Sequence, residues 1–528
     1  MASPAALPVV TVRGKGSSLS SSAVYTVSRG LALARVDAAA LEKLSSPAKK
    51  PHIVSPLPAP PLRLRQRLPE EARAALVVFL NKFALSDTAG ARPAIPALVE
   101  EALGLDGGLE AHDFGSPLGF LSSLCRLSGK KLEDIGVTAD EIGIVDGALV
   151  AASAGAAVVL DCASSSISTV LDAVAALSCE AAGADVAAFD LAGSGDGFSV
   201  KDETDVAGGM KVLLFGSKLT GRIDGDEFRG IPAVHGSFRR AVKALHRRTR
   251  MELNSTIRIR KKSGDPWNHE KETALAGLVL PLVVAARAAG KSSLARATSA
   301  LRSIDEPDLR LTATELFEKN CPSFDVLRDW CQSVSLKAAS EADDTEVLHS
   351  AHELLLKLRE VLAWEAAVAL FVIENDDSIE KASPSTVEAN GGDTESDKKT
   401  EKKKKKKTLG RGTAAIRQRI RADIDGGSVV DDWAIELFLY FDPKCSRLES
   451  LLKQVREIVE SNEVRRLAKI PKGRPKPSNS QGKTTRRALP IGLVPARVTS
   501  VGKDSDGQVN LGAQSNKVPG IEVAYLLC

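Results

Sequence analysis

Two histidines at helical spacing are the side chains that most resemble a metal-binding pair. His349 and His352 are three residues apart within 346–373, a stretch whose apolar residues recur every three or four positions. Both imidazoles would therefore lie on one face of a helix. A metal site requires three or more ligands, and no third ligand is implied by the sequence. We predict two ordinary histidines on a helix surface, with no metal and no cofactor.

Short motifs of nucleotide-binding and hydrolytic sites are absent from the sequence. It contains no P-loop, no G-x-S-x-G and no H-E-x-x-H. Residues 104–108 supply glycines for a turn, but no Lys or Ser/Thr follows directly to complete a phosphate cradle. The seven cysteines are scattered, odd in number and without C-x-x-C spacing, which argues against a disulfide framework and a zinc site and fits a reducing compartment.

Two basic tracts are candidates for a nuclear-import signal or for phosphate contacts. Residues 465–487 hold nine Lys or Arg and no acid, and the other tract is an unbroken lysine run. Neither tract contains an aromatic residue, so base stacking is not predicted. The chain as a whole carries 71 basic and 67 acidic residues, which argues against a dedicated nucleic-acid coat and leaves a solvated charge run as the simpler interpretation. The lysine run comprises Lys402, Lys403, Lys404, Lys405, Lys406 and Lys407.

The pattern of apolar residues predicts a mainly α-helical chain. The 528 residues are 43% hydrophobic and only 4% aromatic, enough for a sizeable core. Length alone suggests about three domains, although one large helical fold fits equally. Apolar residues at helical spacing predict helices over 70–83, 96–103, 140–157, 168–187, 231–254 and 346–373.

The apolar runs of the sequence do not predict a membrane-spanning helix. The longest apolar runs, 147–160 and 274–286, are shorter than the ~20 residues of a spanning helix and predict buried helices.

Residues 1–36 hold four basic residues and no acid, a composition found in transit peptides. An ordinary N-terminal strand and helix explains the same residues. We predict a cytoplasmic protein, with the nucleus, or a plastid if 1–36 is a transit peptide, as alternatives.

Charge and proline content divide the chain into segments. Between 374 and 397 eight acids face one Lys, and between 398 and 407 eight Lys face one Glu, which predicts a disordered insertion. The predicted organisation is an N-terminal segment (1–48), a Pro-rich linker (49–68), a helical core (69–373), the charged insertion (374–408), C-terminal helices (409–464) and a basic, largely disordered tail (465–528).

Several segments, in the same order, resemble the histidine and phenylalanine ammonia-lyase family. Residues 73–103 run as a helix into Gly90-Ala91-Arg92-Pro93, similar to the family's Gly-x-Arg-Pro turn. Residues 232–256, with Val234-His235-Gly236, resemble its Pro-Gln-Val-His-Gly helix, which ends in Glu-Leu-Asn. Val334-Ser335 is similar to its Val-Ser helix, and 409–421 to its C-terminal Gly-Thr segment. The resemblance spans residues 9–425.

The resemblance implies a long helical bundle, L-aspartase-like, that assembles as a homotetramer with active sites shared between subunits. Partners would then be further copies of the chain or a different subunit. The family's electrophile, 4-methylideneimidazole-5-one, is made from an internal Ala-Ser-Gly. The Gly amide nitrogen attacks the Ala carbonyl, and two waters are lost. This requires a central Ser and a following residue with an N–H.

The position that corresponds to the electrophile lacks this chemistry. Counting back from Leu127-Ser128-Gly129, the triad falls on Asp113, Phe114 and Gly115, and Phe114 has no β-leaving group. A shifted register ends on Pro117, which has no N–H to act as nucleophile. Neither register can cyclise.

Other catalytic positions depart from the family as well. The loop that carries its catalytic Tyr corresponds to 49–67, which contains no Tyr. Asp226 replaces a second Tyr, and Arg229 stands where the substrate-carboxylate Arg would be, although a surface or interface Arg explains it equally. The Asn of Asn-Gly-Thr becomes Asp146. The acidic Gln-Glu-Asp before Val-Ser becomes Trp330-Cys331-Gln332.

Three functions follow as hypotheses. The first is a catalytically inactive ammonia-lyase-like protein that acts as a structural or regulatory oligomeric partner. The second is an enzyme with altered chemistry, or residual ammonia-lyase activity, in which Asp146, Asp226, Arg229 and His235 line a remodelled cleft with a carboxylate base and an anion-binding Arg. The third is a nuclear or nucleic-acid-associated scaffold that uses the basic tracts.

Overall fold

Four helices of 24 to 32 residues form the centre of the computed structural model of this chain. It describes residues 7–14, 17–44, 69–86, 92–105, 116–149, 151–191, 200–255, 275–340, 344–376 and 408–425. These residues belong to one unit, Met1–Lys469, and the second unit, Ile470–Cys528, lies outside them. At 1.5 Å per residue, a 32-residue helix is about 48 Å long, so these helices set the length of the fold.

In the described part of the chain the elements are helices and two short strands. In order they are β1 (Val9–Val12), α1 (Ser21–Ser28), β2 (Leu33–Val36), α2 (Ala38–Leu44), α3 (Pro69–Leu85), α4 (Ala94–Gly104), α5 (Pro117–Leu127), α6 (Leu132–Ile135), α7 (Ala139–Leu149), α8 (Ala151–Ala182), α9 (Ala188–Leu191), α10 (Lys201–Leu213), α11 (Asp226–Arg229), α12 (Ile231–Asn254), α13 (Ala276–Arg302), α14 (Pro307–Asn320), α15 (Phe324–Ala339), α16 (Asp344–Asn375) and α17 (Arg411–Asp425). The prediction of a mainly α fold is confirmed.

Helix α8 lies at the centre and packs against α3, α12, α13 and α16. Its alanines, glycine and serines leave room for close neighbours. At Gly155 the approach is closest, because an added Cβ would lie 2.5 Å from the backbone nitrogen of Ala75 in α3. The small residues of α8 therefore allow one helix to be buried on several sides.

Local signals explain where several helices begin. Ser116 caps α5 by accepting a hydrogen bond from the Gly119 N–H at 3.1 Å, and Pro117 follows in the first turn. Ser323 caps α15 in the same way. Helix α12 begins with Pro232 in its first turn, as its sequence predicts.

The N-terminal residues form part of the fold. β1 pairs with β2 in parallel, with Val9 opposite Leu33 and Val12 opposite Val36. The backbone N–H of Leu19 donates to the Asn254 side-chain oxygen at 2.8 Å, which ties this segment to the end of α12. The prediction of a strand and a helix here is confirmed, and the plastid alternative stays a prediction.

Several boundaries differ from the sequence-based expectation. The predicted helices 140–157 and 168–187 are replaced by α7 and a continuous α8. Helix α16 extends to Asn375, so the first two residues of the predicted insertion belong to this helix. Glu374 is buried and pairs with Arg417 of α17. The predicted linker, the lysine run and the tail lie outside the described residues.

Two of the described helices are long and apolar enough to span a membrane by length and composition, which corrects the expectation from the shorter runs 147–160 and 274–286. In Ser153–Ala182 of α8 the apolar window is 67% buried inside the protein, and in Ala276–Arg302 (α13) it is 44% buried. Burial within the bundle accounts for the composition of α8. The outer face of α13 is left exposed by this chain.

Candidate functional site

A fully buried ion pair lies where α8, α13 and α16 meet. Arg296 and Glu365 are both 0% exposed. The guanidinium contacts the carboxylate through two bonds, Nε to Oε1 at 2.6 Å and Nη2 to Oε2 at 3.0 Å. The hydroxyls of Ser178 and Ser293 also donate to Glu365. Each charge is therefore neutralised by the other and hydrogen-bonded, as burial requires.

A buried histidine lies next to this ion pair, and the charges of Arg296 and Glu365 both act on it. Nδ1 of His235 in α12 is 2.8 Å from Oδ1 of Asp172 in α8, and Arg239 contacts the same carboxylate. Burial lowers the pKa of His235, and the bond to Asp172 opposes that shift. With Nδ1–H donating to Asp172, the Nε2 lone pair has no hydrogen-bond partner.

The His235–Asp172 pair has the geometry of an oriented general base. The carboxylate fixes the ring and its tautomer, so that Nε2 is the nitrogen able to take up a proton. Yet His235 is 0% exposed, and Asp172 is 5% exposed. The reactive nitrogen therefore points into the bundle interior.

The other residues predicted to line a remodelled cleft lie in different surroundings. Asp226 and Arg229 are both exposed, at the two ends of the four-residue α11. Arg229 pairs with Asp224, while His235 faces the interior. Asp146 is half-buried on α7. The structure thus brings Asp226 and Arg229 to one short surface helix, and the carboxylate that it brings to His235 is Asp172.

The prediction of two surface histidines is wrong. His352 is 5% exposed, and His349 is mostly buried. Both face the buried carboxylate of Glu71 in α3, with His349 Nδ1 at 3.1 Å and His352 Nδ1 at 3.5 Å. The two imidazoles thus join α16 to α3. Within the described residues, no group of three or more His, Cys, Asp or Glu side chains is arranged to hold a metal ion.

The hydrogen bond to Glu71 raises the pKa of His349. Burial acts to raise the pKa of Glu71, but hydrogen bonds from the imidazoles outweigh it and leave that pKa lowered. Each shift favours the charged form of its group, an imidazolium facing a carboxylate.

Two of the segments that resemble the lyase family are each held to a neighbouring helix by a buried carboxylate. Arg92, from the Gly-x-Arg-Pro turn, donates to both oxygens of Glu141 in α7, from Nε at 2.8 Å and Nη2 at 2.7 Å. Glu180 at the end of α8 accepts from the Gly410 N–H, and burial raises its pKa against the opposing hydrogen bonds. These contacts hold the turn before α4 and the segment before α17 in place. The triad positions Asp113, Phe114 and Gly115 lie outside the described residues.

The described cysteines carry thiols and are not joined in disulfides. Cys125, Cys179, Cys321 and Cys331 are buried, and Cys162 is partly buried. Burial raises the pKa of the Cys331 thiol to about 11, so it remains protonated at neutral pH.

Comparison with solved structures identifies the architecture. Tyrosine aminomutase from Streptomyces globisporus superposes with a TM-score of 0.56 at 14% identity, covering 88% of this chain and 100% of that one. Phenylalanine aminomutase from Pantoea agglomerans gives 0.57 at 10% identity, covering 82% and 98%. Histidine ammonia-lyase from Trypanosoma cruzi gives 0.53 at 14% identity, covering 88% and 96%. The chain has the ammonia-lyase fold. At these identities the likeness concerns the ammonia-lyase fold alone.

Sequence comparison points to proteins with a different name. The chain is 44% identical over 335 residues to the cytoplasmic histidine–tRNA ligase of Oryza sativa subsp. japonica, covering 60% of this chain and 41% of that protein. It is 33% identical over 479 residues to the cytoplasmic histidine–tRNA ligase of Arabidopsis thaliana, covering 88% and 50%. This chain thus spans half or less of the length of each of these two relatives. No protein-family model matches it.

Sequence reasoning missed the buried partners Asp172, Arg296 and Glu365. One signal could have found two of them. Arg296 and Glu365 each occur at a core-facing position of an apolar helix, and each is followed by a buried alanine, Ala297 and Ala366. A charge at such a position predicts an opposite charge on a facing helix, because an unpaired buried charge is very costly.

Proposed function

We propose that the chain is a catalytically inactive ammonia-lyase-like module, acting as a structural or regulatory oligomeric partner in a histidine–tRNA ligase-like protein. The proposal is carried by Phe114, which takes the place of the Ser from which the electrophile would form when the chain is aligned with the lyase family by counting back from Leu127-Ser128-Gly129. A benzyl side chain cannot lose water, and removal of a covalent centre leaves little of the rate it supports.

The names of the relatives support the second half of the proposal. The Arabidopsis relative is matched along 88% of this chain and is named for joining histidine to tRNA, not for eliminating ammonia. The match occupies half of that relative. We therefore assign the charging reaction to the remaining half, and a structural or regulatory role to the region that this chain represents.

The exposed face of α13 supports an oligomer. Val284 is 68% exposed and Leu280 is 37% exposed, one turn apart on a helix that is otherwise core-like. Burial of such a face against a second copy would remove apolar surface from water. We expect Val284→Glu to lower the oligomeric state in light-scattering chromatography, whereas Leu311→Glu, at an exposed leucine of α14, leaves it unchanged. A wild-type monomer would contradict this part of the proposal.

An ammonia-release assay tests the absence of catalysis. The full chain is incubated with His, Phe and Tyr, and the arylacrylate products are followed by absorbance, with an active ammonia-lyase as control. We expect no turnover. The Asp113→Ala/Phe114→Ser variant, which creates Ala-Ser-Gly, should also be inactive because both tyrosines and the Asn remain replaced. Robust turnover by the wild-type chain would overturn the proposal.

A second candidate is an enzyme with altered chemistry in the bundle interior. It is favoured by the carboxylate-oriented His235, whose Nε2 has no hydrogen-bond partner. A small amino acid or carboxylic acid that raises the melting temperature of the wild type, but not of His235→Asn, would support it. A panel of such compounds without effect on either protein would remove it.

Localisation and nucleic-acid binding through the basic tracts remain proposals. The two relatives are named cytoplasmic, which supports the cytoplasm. Fluorescent fusions of the wild type and of a chain with Lys402–Lys407 changed to Gln test the nuclear alternative. Identical cytoplasmic distributions would discard the import signal.

A further inference from the structure

The solvent-facing side of α12 carries a row of basic side chains. Arg240, Lys243, Arg247 and Arg250 are all exposed and follow one another at steps of three, four and three residues. This spacing places them on one face of the helix. At 1.5 Å per residue the row, here called the α12 basic stripe, is about 15 Å long.

The two halves of the stripe differ in their neighbours. Arg240 and Lys243 contact the acids Asp202 and Glu203 of α10. The remaining basic side chains of α12 that lie off the stripe are also paired, Arg239 with Asp172, His246 with Asp161 and Arg248 with Glu252. Of the basic residues on this helix, Arg247 and Arg250 are the two for which the described part of the chain supplies no carboxylate.

We propose that the C-terminal half of the α12 basic stripe, Arg247 and Arg250, is a docking site for the sugar-phosphate backbone of RNA. Guanidinium groups match phosphate oxygens in a bidentate geometry. Arg247 and Arg250 are three residues, or about 4.5 Å, apart along the helix axis. One nucleic-acid strand presents a phosphate about every 3.4 Å, so the two guanidinium groups can contact neighbouring phosphates. The stripe has no aromatic side chain, and its exposed neighbour is Met251. The contact is therefore to phosphates and not to bases.

This inference rests on the proposed link to a protein that charges tRNA. It is separate from the lysine run at 402–407 and the tract at 465–487, because it uses residues fixed on a folded helix. The backbone of α12 is held by α8, α10 and α13, so the Cα atoms of Arg247 and Arg250 keep their spacing. A pair on a fixed helix loses less backbone freedom on binding than a flexible tail does.

The test compares Arg247→Glu/Arg250→Glu with a control of equal charge change, Arg302→Glu/Lys319→Glu. Both control residues are exposed. Arg302 lies at the opposite end of α8: His246 meets α8 at Asp161, whereas Ser303 contacts Ala181, 20 residues further along and so about 30 Å away. Binding of the full chain to an unmodified tRNA transcript and to poly(U) of equal length is measured at several salt concentrations.

We expect Arg247→Glu/Arg250→Glu to weaken binding to both probes by a similar factor, roughly tenfold at low salt, and to reduce the slope of log affinity against log salt by about 1 to 2. The control should retain the wild-type affinity. Since the lysine run could hide the effect, the same pair is also measured in a chain with Lys402–Lys407 changed to Gln.

Equal affinity of wild type and Arg247→Glu/Arg250→Glu in that second background would overturn the proposal, as would an equal loss in the control. Stripe-dependent binding to phosphatidylserine vesicles without binding to RNA would replace RNA by a membrane surface. Ammonia release by the same preparations would overturn the inactive-module proposal and leave the RNA result standing, so the two failures are distinguishable.

Discussion

The guanidinium of Arg296 and the carboxylate of Glu365 form a two-bond ion pair without any contact with solvent. Removal of one partner leaves the other charged and buried. We expect Glu365→Gln or Arg296→Met to lower the free energy of unfolding by about 3–5 kcal/mol. Denaturant unfolding of the wild type and of each variant measures this difference in free energy.

The exposed pair of Arg328 and Asp325 is the matched control. These side chains are 39% and 71% exposed, so Arg328→Met should cost less than about 1 kcal/mol. The double variant Arg296→Met/Glu365→Leu should recover part of the loss, because it removes both buried charges. Equal effects of Arg296→Met and Arg328→Met would contradict the account.

The contact between His349 and Glu71 predicts a pH window of stability. Because pairing raises the pKa of His349 above its ordinary 6.5, the contribution of His349 is complete below about pH 6.5 and is lost as pH rises through the raised value. Because the pKa of Glu71 is below its ordinary 4.5, the contribution of Glu71 is present above about pH 4.5 and is lost in acid. The difference in unfolding free energy between wild type and His349→Gln should therefore be largest between these two values.

Glu71→Gln supplies the control for this window. Without the carboxylate, the further change His349→Gln should produce a smaller and flatter pH dependence. A wild-type minus His349→Gln difference that does not vary from pH 5 to 9 would show that the contact does not titrate.

The buried amine of Lys82 predicts that the stability of the fold rises with pH in the alkaline range, whereas the contribution of His349 is lost as pH rises. Its Nζ donates to the carbonyl and hydroxyl of Ser255 at the end of α12, and burial lowers its pKa to about 8 from 10.5. Between these values the unfolded chain binds a proton that the folded chain does not, so stability rises with pH. The stability of wild type relative to Lys82→Met should increase from pH 8 to 10.5. Lys319→Met, at an exposed lysine, should show no such increase.

Replacement by alanine should have different effects on the free energy of unfolding at two glycines. At Gly155 a Cβ would meet the Ala75 backbone within 2.6 Å, whereas nothing lies within 4 Å of a Cβ at Gly143 in α7. Gly155→Ala should destabilise the chain by about 1–3 kcal/mol through overpacking. Gly143→Ala should be neutral or stabilise it by up to about 1 kcal/mol. Thermal and denaturant unfolding check both, and a neutral Gly155→Ala would refute the close approach of α3 and α8.

The helices that could be predicted from sequence are those with one apolar face. The bounds of α12 were predicted as 231–254, and α16 within two residues at each end, because their polar faces preserve the helical period. Sequence periodicity predicts two helices where the structure has α7 and a continuous α8, and the residues between the two predictions include Ser164, Ser165 and Ser166, which are weak helix formers. Burial against several helices overrides that local preference.

The candidate site was less predictable, because its pairs are distant in the sequence. Glu71 and His349 are 278 residues apart, and Arg296 and Glu365 are 69 apart. Helical periodicity assigns a face to each residue but does not say which helices will face each other. Hence His349 and His352 were assigned to the surface, and the carboxylate that orients His235 was not identified.

The ion pair of Glu374 with Arg417 closes the base of the segment between α16 and α17. Residue 408 is held by the fold as well, since its carbonyl accepts the Lys218 N–H at 2.9 Å. For a loop whose ends are already held together, a doubling of length costs only about 0.6 kcal/mol. The connection between α16 and α17 can therefore accept a large change in chain length. A fluorescent protein inserted after Gly392 should leave the melting temperature of the helical bundle nearly unchanged.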